Sequence, residues 1–232
     1  AFERVDCTGI EEIIIPSSVK VIADGAFLGC SGLKNMTVPS SVCYIGNSAI
    51  GGSMMESLRV YVPCAKRTMF SGQVKNLTIG SKKVTGDGWG SLAENIVLTD
   101  EVEEAYASFS GDIVKTVTMG NSIKTELKAK TFYGCSNLQK VKLHKITIVP
   151  DYAFDGCLNL TEIEIPETVS IIGKRAFAGC TGITEIEIPE IVSAIGEGAF
   201  YGCSSLTGIA TIGKGAFEGH SSLAETEIPE SI

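Results

Sequence analysis

Apolar and polar residues alternate in a short segment, LTEIEIP, that has close copies elsewhere in the chain. Its apolar residues are Leu160, Ile163 and Ile165. The polar residues Glu162 and Glu164 lie between them. A period of two predicts a β-strand with apolar side chains toward a core and the glutamates toward solvent. The proline that follows cannot donate a ladder hydrogen bond, so it is expected to end the strand.

The pattern returns at a regular interval, which is clearest on the phenylalanines. Phe154, Phe177 and Phe200 lie 23 residues apart, and Phe132 precedes Phe154 by 22. The best copies read L-x-x-I-x-I-P-x-x-V-x-x-I-G-x-x-A-F-x-G-C. A period of 23 lies within the roughly 20–29 residue range of leucine-rich repeats. One such unit cannot bury its apolar face alone, so the repeats are expected to stack.

The sequence therefore predicts an α/β repeat solenoid, a leucine-rich-repeat right-handed coil of about 10–11 turns. Parallel strands are expected on one face, with short strands and helical turns on the other. The phenylalanines should form a column inside the coil. The whole chain, 1–232, is interpreted as a single solenoid.

The middle of the chain departs from the best repeats. FSGQVKNLTIG and FSGDIVKTVTMG resemble each other, and WGSLAENIVL lies between them. We interpret 64–130 as degenerate, shorter repeats of the same stack, with an inserted domain as the alternative. The acidic run TDEVEEAYASF over 99–109 is predicted to form a short outer helix.

Six of the eight cysteines occupy one repeat position, three residues before the first apolar residue of a strand. These are Cys7, Cys30, Cys135, Cys157, Cys180 and Cys203. Free cysteine behaves as a small buried hydrophobe, so a structural ladder is predicted. The sequence has no C-x-x-C pair, which argues against zinc. Cys43 and Cys64 lie outside the ladder and are the expected reactive thiols.

Composition and motifs narrow the range of functions. The net charge of −8 disfavours nucleic acid or an anionic membrane as the partner. No apolar run approaches the roughly 20 residues of a membrane span, so no direct membrane insertion is expected. G-x-S-x-G and H-E-x-x-H are absent, and both histidines occupy repeat positions, so we predict no enzyme activity, cofactor or metal. Both ends fall within a coil, which suggests a segment of a longer protein.

Three segments carry a resemblance to a known family. They are IEEIIIPSSVKVIADGAFLGCSGL from residue 10, LTEIEIPETVSIIGKRAFAGCTGI from residue 160 and ITEIEIPEIVSAIGEGAFYGCSSL from residue 183. These repeats resemble the BspA-like leucine-rich repeats of bacterial surface proteins. The resemblance implies a secreted or cell-surface adhesin-like module that binds host or microbial surface proteins. An intracellular scaffold, a spacer presenting another domain and an enzyme in the irregular middle are the alternatives.

The outward strand positions form the candidate partner-binding face. Arg59 with Tyr61 is a pair typical of protein-binding hot spots. Stacked glutamates would suit a cationic partner or calcium, although Lys140 and Lys142 beside them weaken the calcium hypothesis. A solvated face that keeps the solenoid soluble is the alternative. The candidate residues are Arg59, Tyr61, Lys140, Lys142, Glu162, Glu164, Glu185, Glu187, Glu225 and Glu227.

Overall fold

The computed structural model describes residues 9–52 and 54–209, and this part of the chain is a parallel β-solenoid of about nine turns. One short strand per coil lies along the main side. The first eight of these strands form one continuous sheet, and the last two form a separate pair. The main-side strands are β1 (Glu12–Ile14), β3 (Asn35–Val38), β5 (Met55–Val60), β7 (Val74–Ile79), β9 (Ala93–Leu98), β11 (Thr116–Met119), β12 (Lys140–Lys142), β14 (Glu162–Glu164), β16 (Glu185–Ile186) and β18 (Gly208–Ile209).

Shorter strands line the opposite side in one two-stranded and two three-stranded parallel sheets. These strands are β2 (Val21–Ile22), β4 (Tyr44–Ile45), β6 (Cys64–Lys66), β8 (Lys83–Gly86), β10 (Glu104–Ala107), β13 (Ile148–Val149), β15 (Ile171–Ile172) and β17 (Ala194–Ile195). Helical structure over 9–52 and 54–209 is limited to two 3₁₀ segments, Arg67–Met69 and Trp89–Ser91. The predicted repeat solenoid is confirmed, but turns take the place of most of the expected helical segments.

The interior follows from the alternation of each strand and from the register between strands. In β3, Met36 and Val38 are buried while Asn35 and Thr37 are exposed. Met36 pairs with Leu58 of β5, which pairs with Leu77 of β7. Because equivalent residues stack in successive coils, the apolar side chains form continuous buried columns.

In the coils that contain it, the A-F-x-G-C segment forms the turn side and is hydrogen-bonded to the next coil. The N–H groups of Tyr152, Phe154 and Gly156 donate to carbonyls of the following coil at 2.9, 2.7 and 2.8 Å. Tyr152 (φ 57°) and Gly156 (φ 80°) both adopt the left-handed conformation. Glycine adopts this conformation without steric cost, which explains the glycine before each cysteine in these turns.

Phenylalanine rings stack inside the turn side. Consecutive rings from Phe109 to Phe200 lie 4.9–5.4 Å apart between centroids and within 17° of parallel. Nearer the N-terminus, Trp89 is fully buried and packs against Phe70 at 5.7 Å. The predicted phenylalanine column is therefore present, and the glycine-rich GDGWG segment adds a tryptophan to the aromatic core.

The buried cysteines have a specific role in this turn. The thiols of Cys135, Cys157, Cys180 and Cys203 each donate to the carbonyl of a phenylalanine, at 3.1–3.2 Å. The acceptor belongs to the preceding coil, as Phe154 does for Cys180. Burial raises the pKa of the Cys203 thiol to about 11 and also raises the pKa of Cys180. None of the seven cysteines within the described part of the chain forms a disulfide bond.

The acidic run over 99–109 is not a helix, so that prediction is wrong. Residues Glu104–Ala107 form β10, which pairs with β8. Ala105, Ala107 and Phe109 are buried at alternate positions. Their period of two matches a strand, and the acidic residues lie on its solvent side and its flanks.

We predict that Phe177→Ala lowers the free energy of unfolding by about 3–5 kcal/mol, because it leaves a cavity between two stacked rings. Urea denaturation followed by circular dichroism measures the change. Leu158→Ala is the control, because Leu158 is 47% exposed, and its effect should stay within about 0.5 kcal/mol. Equal effects of the two substitutions would contradict the assigned core.

Cysteine labelling should separate the two classes of thiol. Cys43 is exposed and Cys64 half-buried, so both should react with iodoacetamide in the native protein, Cys43 first. Cys157 and Cys180 should react only after unfolding, because they are buried and their thiols are hydrogen-bonded. Mass spectrometry of the labelled peptides gives the order. Native labelling of Cys180 at the rate of Cys43 would rule out the ladder.

Candidate functional site

The outward side chains of the main sheet form two columns, because parallel register places equivalent residues side by side. We call this surface the sheet face. Its first column contains Glu12, Asn35, Ser57, Asn76, Asn95, Thr116, Lys140 and Glu162. Its second column contains Ile14, Thr37, Arg59, Thr78, Val97, Thr118, Lys142 and Glu164. Glu185 and Glu187 extend the face into the next coil.

The centre of the sheet face is uncharged and hydrogen-bonded within itself. The Asn95 amide donates to Asn76 Oδ1 at 3.0 Å, and the Thr116 hydroxyl donates to Asn95 Oδ1 at 2.8 Å. Asn76 Nδ2 donates to the Glu56 carbonyl at 3.0 Å. Asn76, Asn95 and Thr116 were not among the predicted site residues, although an asparagine precedes the apolar strand core in both NLT and NIV. Their polar groups already have partners, so this region offers few unsatisfied groups to a ligand.

The C-terminal end of the sheet face is acidic. Lys140 and Glu162 form an ion pair across adjacent coils. Over residues 9–52 and 54–209, Glu164, Glu185 and Glu187 make no ion pair, and all three are exposed. The structure thus brings four of the predicted glutamates together and leaves most of their charge uncompensated.

The main sheet is interrupted at this acidic end. Each main-side strand from β1 to β14 pairs with the next, whereas β14 does not pair with β16. Two glutamates of β14 lie beside two glutamates of the following coil. Like charges on neighbouring strands destabilise pairing, which gives a physical reason for the gap.

The described carboxylates of the sheet face do not form a metal cage. Among the described residues, no three histidine, cysteine, aspartate or glutamate side chains are grouped so that they could hold a metal ion. The geometry therefore gives no support to the calcium hypothesis.

Arg59 lies on the sheet face, but Tyr61 does not, so its predicted place was wrong. Strand β5 ends at Val60, and the residue that pairs with Asn35 is Ser57. The sequence VYVP resembles IEIP, yet its proline follows the strand by two more residues than Pro39 follows Val38. Glu225 and Glu227 lie outside the described residues.

Tyr61 instead borders a groove of about 1000 Å³ at the corner after the main strands. Its ring covers Gly80, where a Cβ atom would lie 2.5 Å from the ring. The carboxylate of Glu103 contacts Lys82 at 3.5 Å and Lys124 at 2.9 Å. The lining as a whole contains three lysines (Lys82, Lys124 and Lys145) and three acidic residues (Asp100, Glu101 and Glu103), so the groove presents a mixed surface without a dominant charge.

An edge of alternating charge runs along the start of the main strands and was missed by the sequence analysis. Three ion pairs link adjacent coils there: Glu11 with Lys34 at 2.6 Å, Glu56 with Lys75 at 3.4 Å, and Glu94 with Lys115 at 2.9 Å. The signal was available, because these residues immediately precede the first column of the sheet face and alternate in sign. Exposed pairs of this kind contribute little stability individually.

His144 is a core residue that takes the place of Pro166 after its strand. Its Nε2 lies 2.7 Å from the carbonyl oxygen of Thr125. Burial lowers the pKa of His144 below its usual value of 6.5. Because it is buried away from the sheet face, we assign it a structural role.

Comparison with known proteins decides the family. A model of the BspA type leucine-rich repeat region matches six copies, over residues 1–85, 100–210 and 147–232. The chain belongs to the BspA-type leucine-rich repeat family. Leucine-rich repeat families of this kind are generally non-enzymatic and serve as protein-binding modules. No curated protein matches the chain.

A solved structure shows the leucine-rich repeat fold of this chain, and a second solved protein is similar to it. A leucine-rich repeat protein from Bacteroides ovatus matches with a TM-score of 0.52 and 23% identity, covering 90% of this chain and 70% of that one. A leucine rich cell surface protein from Faecalibacterium prausnitzii matches with a TM-score of 0.47 and 21% identity, covering 88% of this chain and 60% of that one. Among the described residues, no helix is long and apolar enough to cross a membrane.

The pKa of His144 generates a pH prediction. The unfolded chain takes up a proton near pH 6.5, whereas the native state resists protonation, so stability should fall as the pH drops below 6.5. His144→Gln removes this titration from both states and serves as the comparison. The difference in unfolding free energy between wild type and variant should favour the wild type less at pH 5 than at pH 7.5. Parallel pH profiles would contradict the assignment.

Proposed function

We propose that the chain, as one continuous stack over 1–232, is a non-catalytic extracellular module of a secreted or cell-surface, adhesin-like protein from a host-associated microbe. It binds surface proteins of a host or of other microbes through the sheet face. Family membership supports a protein-binding module. The extracellular setting rests on what the family resemblance implies.

The observation that carries the proposal is the distribution of satisfied and unsatisfied charge on the sheet face. Its central amides and hydroxyls bond to one another, whereas the carboxylates of Glu164, Glu185 and Glu187 lack ion-pair partners within the described residues. A rigid surface with fixed, uncompensated charge attracts a complementary surface and orients its encounter. The complementary partner is a protein with a basic patch.

The remaining members of the face have subordinate roles in this proposal. Lys140 is engaged by Glu162, and Lys142 lies beside Glu164 in the second column. Together they set the boundary of the acidic region on its N-terminal side. Arg59 lies in the same column four coils before Lys142, between Thr37 and Thr78. It would contact only a partner that spans most of the sheet.

The test screens the purified chain against an array of host matrix and bacterial surface proteins at low and physiological salt. Glu164→Lys/Glu187→Lys is the test variant. Glu167→Lys/Glu190→Lys is the matched control, because these exposed glutamates lie in the same two coils but beyond the strands. The test variant should weaken a saturable interaction about tenfold or more, while the control changes it by less than about threefold.

Each outcome decides a part of the proposal. Equal loss in both variants would show that net charge, rather than the sheet face, drives binding. A saturable interaction that neither variant affects would overturn the sheet face as the site and retain a binding module. The absence of any saturable interaction would favour a spacer. Thermal unfolding of each variant ensures that lost binding is not lost folding.

A further inference from the structure

A second surface lies on the turn side of the C-terminal coils. Tyrosine and cationic side chains from successive coils are interleaved there. Lys130 Nζ lies 5.4 Å from the ring centroid of Tyr133 and 5.5 Å from that of Tyr152. The Arg175 guanidinium lies 5.4 Å from the ring centroid of Tyr201. We call these five residues the aromatic strip.

Three members of the aromatic strip have strained backbones. Lys130, Tyr152 and Arg175 adopt left-handed φ values of 63°, 57° and 51°. In other coils the same position holds Gly25 at 64° and Gly198 at 60°. The turn therefore accepts glycine, yet three consecutive coils carry long side chains there at a conformational cost. Strain that persists where glycine would fit is evidence that the side chains have a use.

Among the described residues, Lys130 is the cation of the aromatic strip that forms no ion pair, whereas Arg175 is paired with Asp155. Arg175 Nε donates to Asp155 at 3.2 Å, and Glu197 forms an ion pair with Lys174. Asp151, beside Tyr152, accepts the backbone N–H of Lys174 at 2.7 Å, so each of these three acidic groups has a partner within the chain. Lys130 is exposed and, among the described residues, forms no ion pair. Its ammonium group is held over two rings but keeps its charge available.

The tyrosines of the aromatic strip are exposed to solvent, Tyr152 only in part. Tyr133 is 48% exposed and Tyr201 is 50% exposed. Their hydroxyls, and that of Tyr152, make no hydrogen bond within the described residues. A cation already lies over a face of each ring, which leaves less room for a sugar ring to stack there. Rigid tyrosines beside an available cation suit carboxylates at a protein interface.

We propose that the aromatic strip binds an acidic segment of another protein, whose carboxylates contact Lys130 and the tyrosine hydroxyls. This surface is separate from the sheet face and selects the opposite charge. It is therefore independent of the proposed sheet-face interaction. The module would hold a basic partner on one side and an acidic partner on the other.

The experiment measures binding of fluorescein-labelled poly-L-glutamate to the full chain by fluorescence anisotropy. Lys130→Gly should weaken binding about tenfold or more without lowering the melting temperature, because glycine suits the left-handed position. Ser48→Gly is the matched control, since Ser48 also has a left-handed φ, 48°, but lies far from the strip. Its binding should match that of the wild type.

A second variant tests the hydroxyl contacts with the least effect on packing. Tyr133→Phe keeps the ring over which Lys130 lies and should weaken binding by about threefold or more. Glu164→Lys/Glu187→Lys should not weaken it, which separates this result from failure of the proposed sheet-face function.

Three outcomes would overturn the proposal. The first is unchanged binding by Lys130→Gly, at whatever melting temperature, or no binding of poly-L-glutamate by the wild-type chain. The second is equal weakening by Ser48→Gly. The third is tighter binding of an anionic polysaccharide such as polygalacturonate, with the same dependence on Lys130 and the Tyr133 hydroxyl, which would assign the strip to a glycan.

Discussion

Hydrogen bonding between coils is the constraint on which this structure depends. Helical structure in the described part of the chain is limited to two 3₁₀ segments, so most coils cannot satisfy their own backbone groups. The main strands, the opposite strands and the turns all donate to a neighbouring coil. The cysteine thiols add a side-chain bond to the same network, each donating to a phenylalanine carbonyl one coil back. A coil is stable only within the stack, and the stack fixes the position of every coil.

The surface features follow from this fixed position. Because equivalent residues are stacked, a residue type repeated in successive coils becomes a column. Repeated glutamates form the acidic end of the sheet face, and the left-handed residues of three successive coils form part of the aromatic strip. The acidic end also shows the cost of such a column, since the sheet pairing stops between the two glutamate-bearing strands. Repulsion between the glutamates opposes the hydrogen bonding of β14 to β16, and these two strands do not pair.

Much of the fold could be predicted because the sequence repeats at a regular interval of about 23 residues. The spacing of Phe154, Phe177 and Phe200 predicted the stacked rings, and the alternation in LTEIEIP predicted which side chains face out. Prediction failed where local resemblance and register disagreed. VYVP looked like IEIP and misplaced Tyr61, because the register pairs Val60 with Val38 and so puts Tyr61 at the position of Pro39, after the strand.

Other features were hidden because they depend on contacts between distant residues. The acidic run over 99–109 looked helical by charge, although its buried residues alternate as in a strand. The burial of Trp89 was not predicted, because its glycine neighbours suggested a turn. The left-handed backbone of Lys130 has no signature in the sequence. The solenoid is thus largely legible from the sequence. The role of the sheet face in binding stays a prediction, since its glutamates also suit a solvated surface.

The alternating edge formed by Glu11, Lys34, Glu56, Lys75, Glu94 and Lys115 has a consequence for folding. Repeat proteins can misassemble when one unit is looped out and its neighbours stack directly on each other. Omission of a single coil here would bring Glu11 against Glu56, or Lys34 against Lys75. Such like-charge contacts penalise the misassembled chain, whereas the correct order places opposite charges together. Ion pairs that contribute little to native stability can therefore act as a proofreading device for the order of the coils.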